Sequence, residues 1–288
     1  MSPILQSIFQ KFLLPFLRIL VLAYIGFAIA LYFGQSNLVY MPSQTLTETP
    51  ANIGLKFEDI QITAKDNVNL DAWFVPAKDN DQIGKGVILF CHGNGGNIGN
   101  RVSYLPIFRD LGLSTFLFDY RGYGKSEGKP TEAGTYADVE AAWQYLTQER
   151  KISPKKIIIY GESLGGAIAA YIAQLTSQDL KNNAGGLVLA STFTSISDRA
   201  SELYPFLPIR FLSRFSYNSL ERLPSIKIPI LIIHSTEDEI IPFHHSDRNF
   251  QAAHQPKRLV KLRGDHNDGF LDSLETYRNG LNEFIQSI

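Results

Sequence analysis

Ser163 has the clearest chemical potential in the sequence, because it lies between two glycines in the run Gly161-Glu162-Ser163-Leu164-Gly165. An apolar run precedes this pattern and an alanine-rich segment follows it, which predicts a strand, a sharp turn and a helix. The glycines indicate a turn that packs too closely against a sheet to carry side chains. The turn is either a plain connection or a device that presents the serine hydroxyl at the positive end of a helix.

A serine hydroxyl becomes a good nucleophile when a base removes its proton, and the usual base is a histidine. His266 follows the apolar run Leu259–Leu262, where a parallel strand would end. Ligands bind at the carboxyl ends of the strands in sheets of this kind. The other histidines occupy loop, strand-end or helix positions that favour structural or surface roles: His92, His234, His244, His245 and His254. His266 is therefore the predicted base.

The histidine needs a carboxylate that orients it, and an acidic run supplies the candidates. Asp238 lies five residues past the apolar run Ile230–Ile233, and Glu237 and Glu239 flank it. The chain order of serine, aspartate and histidine is the order associated with the G-x-S-x-G pattern. This order predicts Asp238 as the acid, with the two glutamates as alternatives.

Acyl transfer also requires donors for the negative charge that develops on the substrate oxygen. The backbone amide of Leu164, directly after the nucleophile, is one predicted donor. The other is expected from the glycine-rich run Cys91–Asn97, because glycine lets the backbone turn an N–H inward. The amide of Asn94 is the predicted second donor, with Gly95 as the alternative. The ring of His92 is interpreted as shaping this loop.

An alternation of strands and helices would position these residues. Segments 57–63 and 68–76 alternate apolar and polar residues and predict an antiparallel hairpin. Unbroken apolar runs predict strands buried on both faces of a parallel sheet: Gly86–Cys91, Ser114–Phe118, Ile157–Tyr160, Gly186–Leu189, Ile230–Ile233 and Leu259–Leu262. Helices are predicted at Thr131–Gln148, Gly165–Leu175 and Asp268–Ile285. The fold class is therefore α/β, with a mostly parallel central sheet and helices on both faces.

The segment Ser195–Leu223 follows a predicted strand but is aromatic and interrupted by prolines. It is interpreted either as helices that cover the sheet edge or as a short helical cap that forms the substrate wall. The two interpretations are compatible. In the second, Tyr204, Phe206 and Phe211 are the predicted substrate-binding residues.

The N-terminal region is long and apolar enough to cross a membrane. Residues 19–33 carry no charge, and the apolar character extends back to Phe12 over 22 residues. A helix of that length spans about 33 Å, against about 30 Å for the hydrocarbon core. Lys11 and Arg18 lie on the N-terminal side of the charge-free residues 19–33, and the next basic residue is Lys56. This asymmetry predicts a single-pass anchor with a cytoplasmic N-terminus and the rest of the chain on the opposite side.

Two alternatives to an anchor stay open. Ala28-Ile29-Ala30 fits a signal-peptide cleavage site, and the segment could instead be a peripheral or core helix. Three regions are predicted: a hydrophobic segment at 1–34, a connector at 35–55, and a catalytic domain at 56–288 that includes the cap at 195–223.

Composition excludes several classes of function. The chain has 288 residues, of which 44% are apolar and 19% charged, which is typical of a globular protein. The formal net charge of −1 gives no field that would recruit nucleic acid. The single cysteine, Cys91, cannot form an internal disulfide, and the sequence holds no zinc, EF-hand or P-loop pattern. We expect no cofactor, no metal and no nucleic-acid partner.

With these residues placed, the chain resembles the α/β-hydrolase superfamily over about residues 57–288. The resemblance rests on HGNGGN at 92–97, DYRGYGKSEGKPTE at 119–132, GESLGG at 161–166, DEIIP at 238–242 and GDHND at 264–268. Within the superfamily it is similar to the membrane-anchored group of Bem46-, ABHD13- and ABHD17-like serine hydrolases. The aromatic cap and the run NLVYMPS at 37–43 fit that group as well.

This resemblance implies hydrolysis of an ester, thioester or amide through an acyl-enzyme on Ser163. The expected protein is a carboxylesterase- or thioesterase-like serine hydrolase acting on a small acyl ester or lipid-like substrate. Alternatives are an aminopeptidase-like or acyltransferase member of the same fold, and a non-catalytic binding member. The presence of Asp238 and His266 beside the serine motif argues against the last.

Overall fold

The computed structural model describes residues 9–77, 83–179 and 183–288, and its centre is one eight-stranded sheet. The strands in chain order are β1 (Glu58–Thr63), β2 (Asn69–Val75), β3 (Gly86–Cys91), β4 (Leu113–Phe118), β5 (Ile157–Glu162), β6 (Gly186–Ala190), β7 (Ile230–Ser235) and β8 (Lys257–Leu262). Their order across the sheet is β8-β7-β6-β5-β3-β4-β2-β1. In this sheet β2 alone runs opposite to the other seven strands, and it pairs antiparallel with both β1 and β4. The predicted mostly parallel sheet and its antiparallel hairpin are therefore confirmed.

Burial along the strands follows their position in the sheet. Every residue of β3, β4, β6 and β7 is buried, as expected for apolar runs covered on both faces. The strand β8 differs from the prediction of burial on both faces. It is an edge strand in which Leu262 alone is buried, and its Arg258 and Lys261 are exposed. Charged edge strands of this kind resist pairing with a second chain.

Helices cover both faces of the sheet. In chain order they are α1 (Leu14–Val39), α2 (Leu105–Asp110), α3 (Glu132–Gln144), α4 (Leu164–Thr176), α5 (Ile196–Leu203), α6 (Ile209–Leu212), α7 (Ser219–Arg222), α8 (His244–Ala252), α9 (Gly269–Asp272) and α10 (Leu274–Gln286). Leu89 and Phe90 of β3 face opposite sides, since successive strand residues alternate. Leu89 joins the core under α3 and α4, and Phe90 joins the core under α2 and α10.

The predicted helices are present with small differences. The segment 131–148 forms α3, capped by Thr131, whose side chain accepts from the amide of Gly134, and it continues as a π-helical turn at Tyr145–Glu149. The segment predicted at 268–285 is two helices, α9 and α10, that meet at Ser273. The hydroxyl of Ser273 donates to the carbonyl of Arg263 and accepts from its amide, which fixes the break.

The helix α1 has 26 residues, none of them buried, and a π-helical turn at Phe9–Leu13 precedes it. Together Phe9–Val39 are long and apolar enough to cross a membrane by length and composition. The helix ends at Val39, so residues 35–39, which fall in the connector predicted from sequence, are helical.

The rest of the connector binds to the domain. Met41–Pro42 pair in parallel with Gly95–Gly96, forming a small second sheet. Tyr40 is buried, and its hydroxyl lies 2.8 Å from that of Tyr217 in the cap. The Tyr217 hydroxyl lies 2.8 Å from Thr135 Oγ1 in α3. Since Thr135 donates to a backbone carbonyl, the proton order in this chain runs from Tyr40 through Tyr217 to Thr135.

Candidate active site

A sharp elbow between β5 and α4 carries Ser163. The residue adopts φ 53° and ψ −118°, in a region that side-chain-bearing residues rarely occupy. The surrounding structure holds this conformation, because the Ser163 amide donates to the carbonyl of Ala190 and the Thr192 hydroxyl donates to the Ser163 carbonyl. The serine is placed directly before the N-terminus of α4, as the sequence pattern predicts.

The glycines around the serine are required by packing. A Cβ at Gly161 would lie 2.4 Å from the carbonyl oxygen of Gly165, and a Cβ at Gly165 would lie 2.0 Å from that of Cys91. A Cβ at Gly166 would meet the side chain of Thr192 at 2.3 Å. Real Cβ atoms do not approach so closely, so the elbow depends on glycine at these positions.

The structure brings Ser163, His266 and Asp238 together. His266 Nε2 lies 3.1 Å from Ser163 Oγ, and its Nδ1 lies 2.7 Å from Asp238 Oδ2. An ionised carboxylate only accepts, so Nδ1 carries the proton and Nε2 turns its lone pair to the serine hydroxyl. This is the tautomer that a general base requires.

Asp238 is held in its ionised form by several donors. Its Oδ1 accepts from the amides of Ile240 and Ile241 at 2.9 and 2.7 Å. Burial alone would raise the pKa of this carboxyl, but hydrogen bonds from His234, His266 and the Ile241 amide outweigh it and lower the pKa well below the ordinary value. An ionised Asp238 can stabilise the positive charge that forms on the base.

The two neighbouring glutamates have other partners. Glu237 accepts from the amide of Gly264, and Glu239 accepts from the amide of His266, both at 3.1 Å. They therefore hold the loop that carries His266, while Asp238 contacts its ring. The sequence left three carboxylates open, and the geometry favours Asp238.

His234 is a second histidine at Asp238, a contact that sequence reasoning missed. Its Nε2 lies 2.7 Å from the carbonyl of Ile241 and 3.1 Å from Asp238 Oδ2. A carbonyl only accepts, so Nε2 carries the proton, and Nδ1 then accepts from the hydroxyl of Ser246. The ring is fully buried and its hydrogen-bonding capacity is used, as the interpretation of a satisfied core residue predicts. The signal for the contact is the four-residue spacing to Asp238 at the end of β7.

The two predicted amide donors are oriented by different features, a loop contact for Asn94 and a helix start for Leu164. His92 Nδ1 donates to the carbonyl of Gly93 at 2.7 Å. In a trans peptide the N–H points opposite to the C=O, so this bond fixes the direction of the Asn94 amide. The Leu164 amide is at the first position of α4, where a helix offers it no acceptor. Asn94 and Leu164 both line the same cavity as Ser163.

A buried ion pair braces the same loop. Arg101 contacts Glu162 through two hydrogen bonds of 3.1 and 3.2 Å, and it donates to the carbonyl of Gly95 at 2.6 Å. Burial would raise the pKa of Glu162, but the charge and hydrogen bonds of Arg101 outweigh it and lower that pKa. Sequence reasoning missed this pair, because Arg101 lies 61 positions before its partner and no motif joins them.

Ser163 lies between two cavities of different character. One has a volume of about 510 Å³ and a largely apolar lining from α1, the connector, the cap and Ile240–Ile241. The other has about 320 Å³ and a more polar lining that includes Asn100, Arg101, His266 and Asp268. The reacting centre can therefore hold an apolar group on one side and a polar group on the other.

Of the three predicted substrate-binding residues, one lines the apolar cavity and two do not. Tyr204 lines the apolar cavity with Ser163. Phe206 and Phe211 do not line it: they are 61% and 90% exposed. In each case the neighbour faces inward instead, since Leu207 is buried and Leu212 lines a small cavity against α1. The prolines in this segment interrupt the regular spacing of apolar residues from which inward-facing side chains could be predicted.

Among the described residues, one group has ligand types that could hold a metal ion. Ligand atoms of Glu202, His244 and His245 lie within 4.8 Å of one another. The Nε2 atoms of the two histidines lie 2.8 and 3.1 Å from the Glu202 carboxylate, so these side chains satisfy one another. None of the three lines either cavity at Ser163.

Comparison with known proteins gives relatives over most of the chain. A family model described as alpha/beta hydrolase fold matches residues 86–215. The alpha/beta hydrolase domain-containing protein WAV2 of Arabidopsis thaliana is 33% identical over 278 residues, covering 88% of this chain and 87% of WAV2. Protein bem46 of Schizosaccharomyces pombe is 33% identical over 74% of this chain and 72% of its own length. The Pyrococcus furiosus esterase Pf2001 matches with a TM-score of 0.66 at 20% identity, over 86% of this chain and 98% of that chain.

Proposed function

This chain belongs to the alpha/beta hydrolase family, which confirms the predicted family and fold, and from that premise we propose that it is a serine hydrolase. Its substrate is a carboxylic ester or thioester, and the reaction passes through an acyl-enzyme on Ser163. The observation that carries the proposal is the position of His266, 3.1 Å from Ser163 Oγ and 2.7 Å from Asp238.

The proposed reaction has two halves. In the first, Ser163 Oγ forms a bond to the substrate carbonyl carbon while His266 Nε2 takes the hydroxyl proton. The bond to the leaving alcohol or thiol then breaks, and His266 gives that group the proton. In the second, water attacks the acyl-enzyme in the same way and releases a carboxylic acid.

The neighbouring residues supply the electrostatics of this reaction. Asp238 keeps the His266 ring in one orientation and stabilises its charged form. The amides of Asn94 and Leu164 donate to the oxyanion of each tetrahedral intermediate. Because His92 and Arg101 brace the loop that carries Asn94, this donor needs little reorganisation when the charge develops.

The two cavities favour an ester or thioester with an apolar acyl group. The acyl group fits the apolar cavity between α1 and the cap, and the leaving group fits the polar cavity beside Arg101. This arrangement places opposite ends of the substrate on opposite sides of Ser163.

The first test is covalent labelling of the full-length protein in detergent. A fluorophosphonate probe is expected to label the protein, and Ser163→Ala is expected to remove labelling and p-nitrophenyl butyrate hydrolysis together. Ser177→Ala is the matched control, since Ser177 is a buried serine beyond the C-terminus of α4. Folded protein that does not label, or a Ser163→Ala variant that keeps its activity, would contradict the proposal.

A further inference from the structure

We propose that the C-terminal part of α1, from Leu31 to Val39, is one wall of the acyl-chain site. In this proposal, which rests on the proposed function, the acyl chain of the substrate lies between the apolar N-terminal helix and the cap. The helix would then select the substrate as well as anchor the domain.

The first observation is the lining of the cavity at Ser163. Leu38, Val39 and Met41 form one side of it, at the end of α1 and the start of the connector. The cap forms the other side through Ile196, Ala200, Leu203 and Tyr204 of α5 and its C-terminus. An acyl group bonded to Ser163 therefore contacts α1 as soon as it enters this cavity.

The second observation is a smaller apolar cavity, of about 80 Å³, that lies toward the N-terminus of α1. We call it the distal cavity. Leu31, Tyr32 and Gln35 line it from α1, and the cap supplies Leu207, Ile209, Leu212 and Phe215. Five residues line both cavities: Leu38, Val39, Ile196, Ala200 and Tyr204. The two cavities therefore adjoin, and they form a groove that follows α1 for about 12 Å at 1.5 Å per residue.

The third observation is that specific polar contacts fix α1 against the cap. Gln35 donates to the carbonyl of Leu212 at 2.7 Å and accepts from the amide of Arg214 at 2.8 Å. Farther along the helix, the Tyr24 hydroxyl donates to the carbonyl of Phe206 at 2.9 Å. These bonds set the width of the groove, whereas a helix that only tethers the domain needs no partner in the cap.

The chemistry of the groove identifies its occupant as an alkyl chain. Apart from Gln35 and Ser213, the side chains of the distal cavity are apolar or aromatic, and Gln35 is engaged with the cap backbone. From Leu31 toward its N-terminus, α1 exposes apolar side chains such as Phe27 and Ile29. The groove thus joins Ser163 to the part of the chain that would contact a bilayer, which favours a medium- or long-chain acyl ester.

The test narrows the distal groove without touching the reacting centre. Leu31→Trp in the full-length protein, in mixed detergent micelles, is expected to lower kcat/KM for p-nitrophenyl palmitate at least tenfold. The kcat/KM for p-nitrophenyl butyrate should stay within twofold, because its chain ends before the distal cavity. Phe33→Trp is the matched control on the same turn of α1, since Phe33 is 72% exposed and lines neither cavity.

A second variant, Leu212→Trp, fills the same cavity from the cap and should give the same selective loss. An unchanged palmitate rate in both variants, or an equal loss for both esters, would overturn the proposal. Neither result would contradict the proposed function, which requires only that butyrate hydrolysis depend on Ser163.

Discussion

At the residue scale, the candidate site depends on a carboxylate shared by two histidines. Asp238 contacts the rings of two histidines: His266, which also faces Ser163, and His234, which is buried in the core. His234 has no path to the substrate, because its ring is fully buried behind the carboxylate. We therefore interpret His234 as a positioning residue that acts through Asp238.

We expect His234→Ala to lower kcat about tenfold and leave KM unchanged, because Asp238 loses a donor that fixes its orientation. His234→Gln should recover part of the rate, since its amide can donate to the same carboxylate. The measurement is butyrate ester hydrolysis, with His254→Ala as the control at an exposed histidine. A loss of protein stability with an unchanged kcat would show that His234 supports only the core.

The residues of the candidate site also show which features could be predicted from the sequence and which could not. Ser163 and His266 could be predicted because a turn motif and a strand end determine where they lie. The exposure of Phe206 and Phe211 could not be predicted, because prolines interrupt the period that would show which side chains face inward. The Arg101–Glu162 pair could not be predicted, since the loop after β3 meets the end of β5 only through the folded sheet.

At the scale of elements, the β1–β2 hairpin at the edge of the sheet carries a partly buried carboxylate whose charge is unfavourable. Asp71 of β2 is half-buried, and its Oδ2 has no hydrogen-bond partner in the described part of the chain. Burial raises its pKa to about 6, and the charges of Asp59 and Asp119 act in the same direction against that of Lys125. The ionised carboxylate is therefore less stable in the folded protein than in the unfolded chain.

We expect Asp71→Asn to stabilise the protein by about 1 to 2 kcal/mol at pH 8. This is less than the free energy that corresponds to the full rise in pKa, because solvent screens a half-exposed carboxylate. The folded pKa lies above the unfolded value of 3.8, so the destabilisation is fully present above about pH 6 and fades toward pH 3.8. Urea unfolding at pH 8 and pH 4.5 checks this, and the gain should be smaller at the lower pH. Glu149→Gln changes the net charge equally at an exposed position that does not act on Asp71, and it is the control. Equal gains at both pH values would contradict the assignment.

At the scale of the whole molecule, the sheet and its helices were predictable because strand and helix periods repeat along the chain. The docking of α1 on the cap was not predictable. Its contacts join residues about 180 positions apart, such as Tyr24 with Phe206. The run of apolar residues predicts a helix that can cross a membrane, but it carries no information about what the helix touches.

We propose that α1 anchors the chain, with its N-terminus in the cytoplasm and the catalytic domain on the opposite side, where the exposed Phe206 of the cap reaches into the membrane beside Tyr24. Full-length protein should stay with the membrane after carbonate extraction, and Leu22→Arg with Ile25→Arg should release it. Ser36→Arg is a control at the end of α1, where a charge can reach the membrane surface. External protease should digest the domain in intact cells or spheroplasts. A mature N-terminus just after Ala30 would instead identify a cleaved signal peptide.

The pairing of Met41–Pro42 with Gly95–Gly96 also bears on how this protein could be regulated by proteolysis. The Met41 amide donates to the Asn94 carbonyl, and the Asn94 side chain donates to the carbonyl of Val39. A protease that shed the domain by cutting after Pro42 would remove a strand from the loop that carries the proposed oxyanion donor, Asn94. Shedding and inactivation would then be one event, and no free, working form would diffuse away from the membrane.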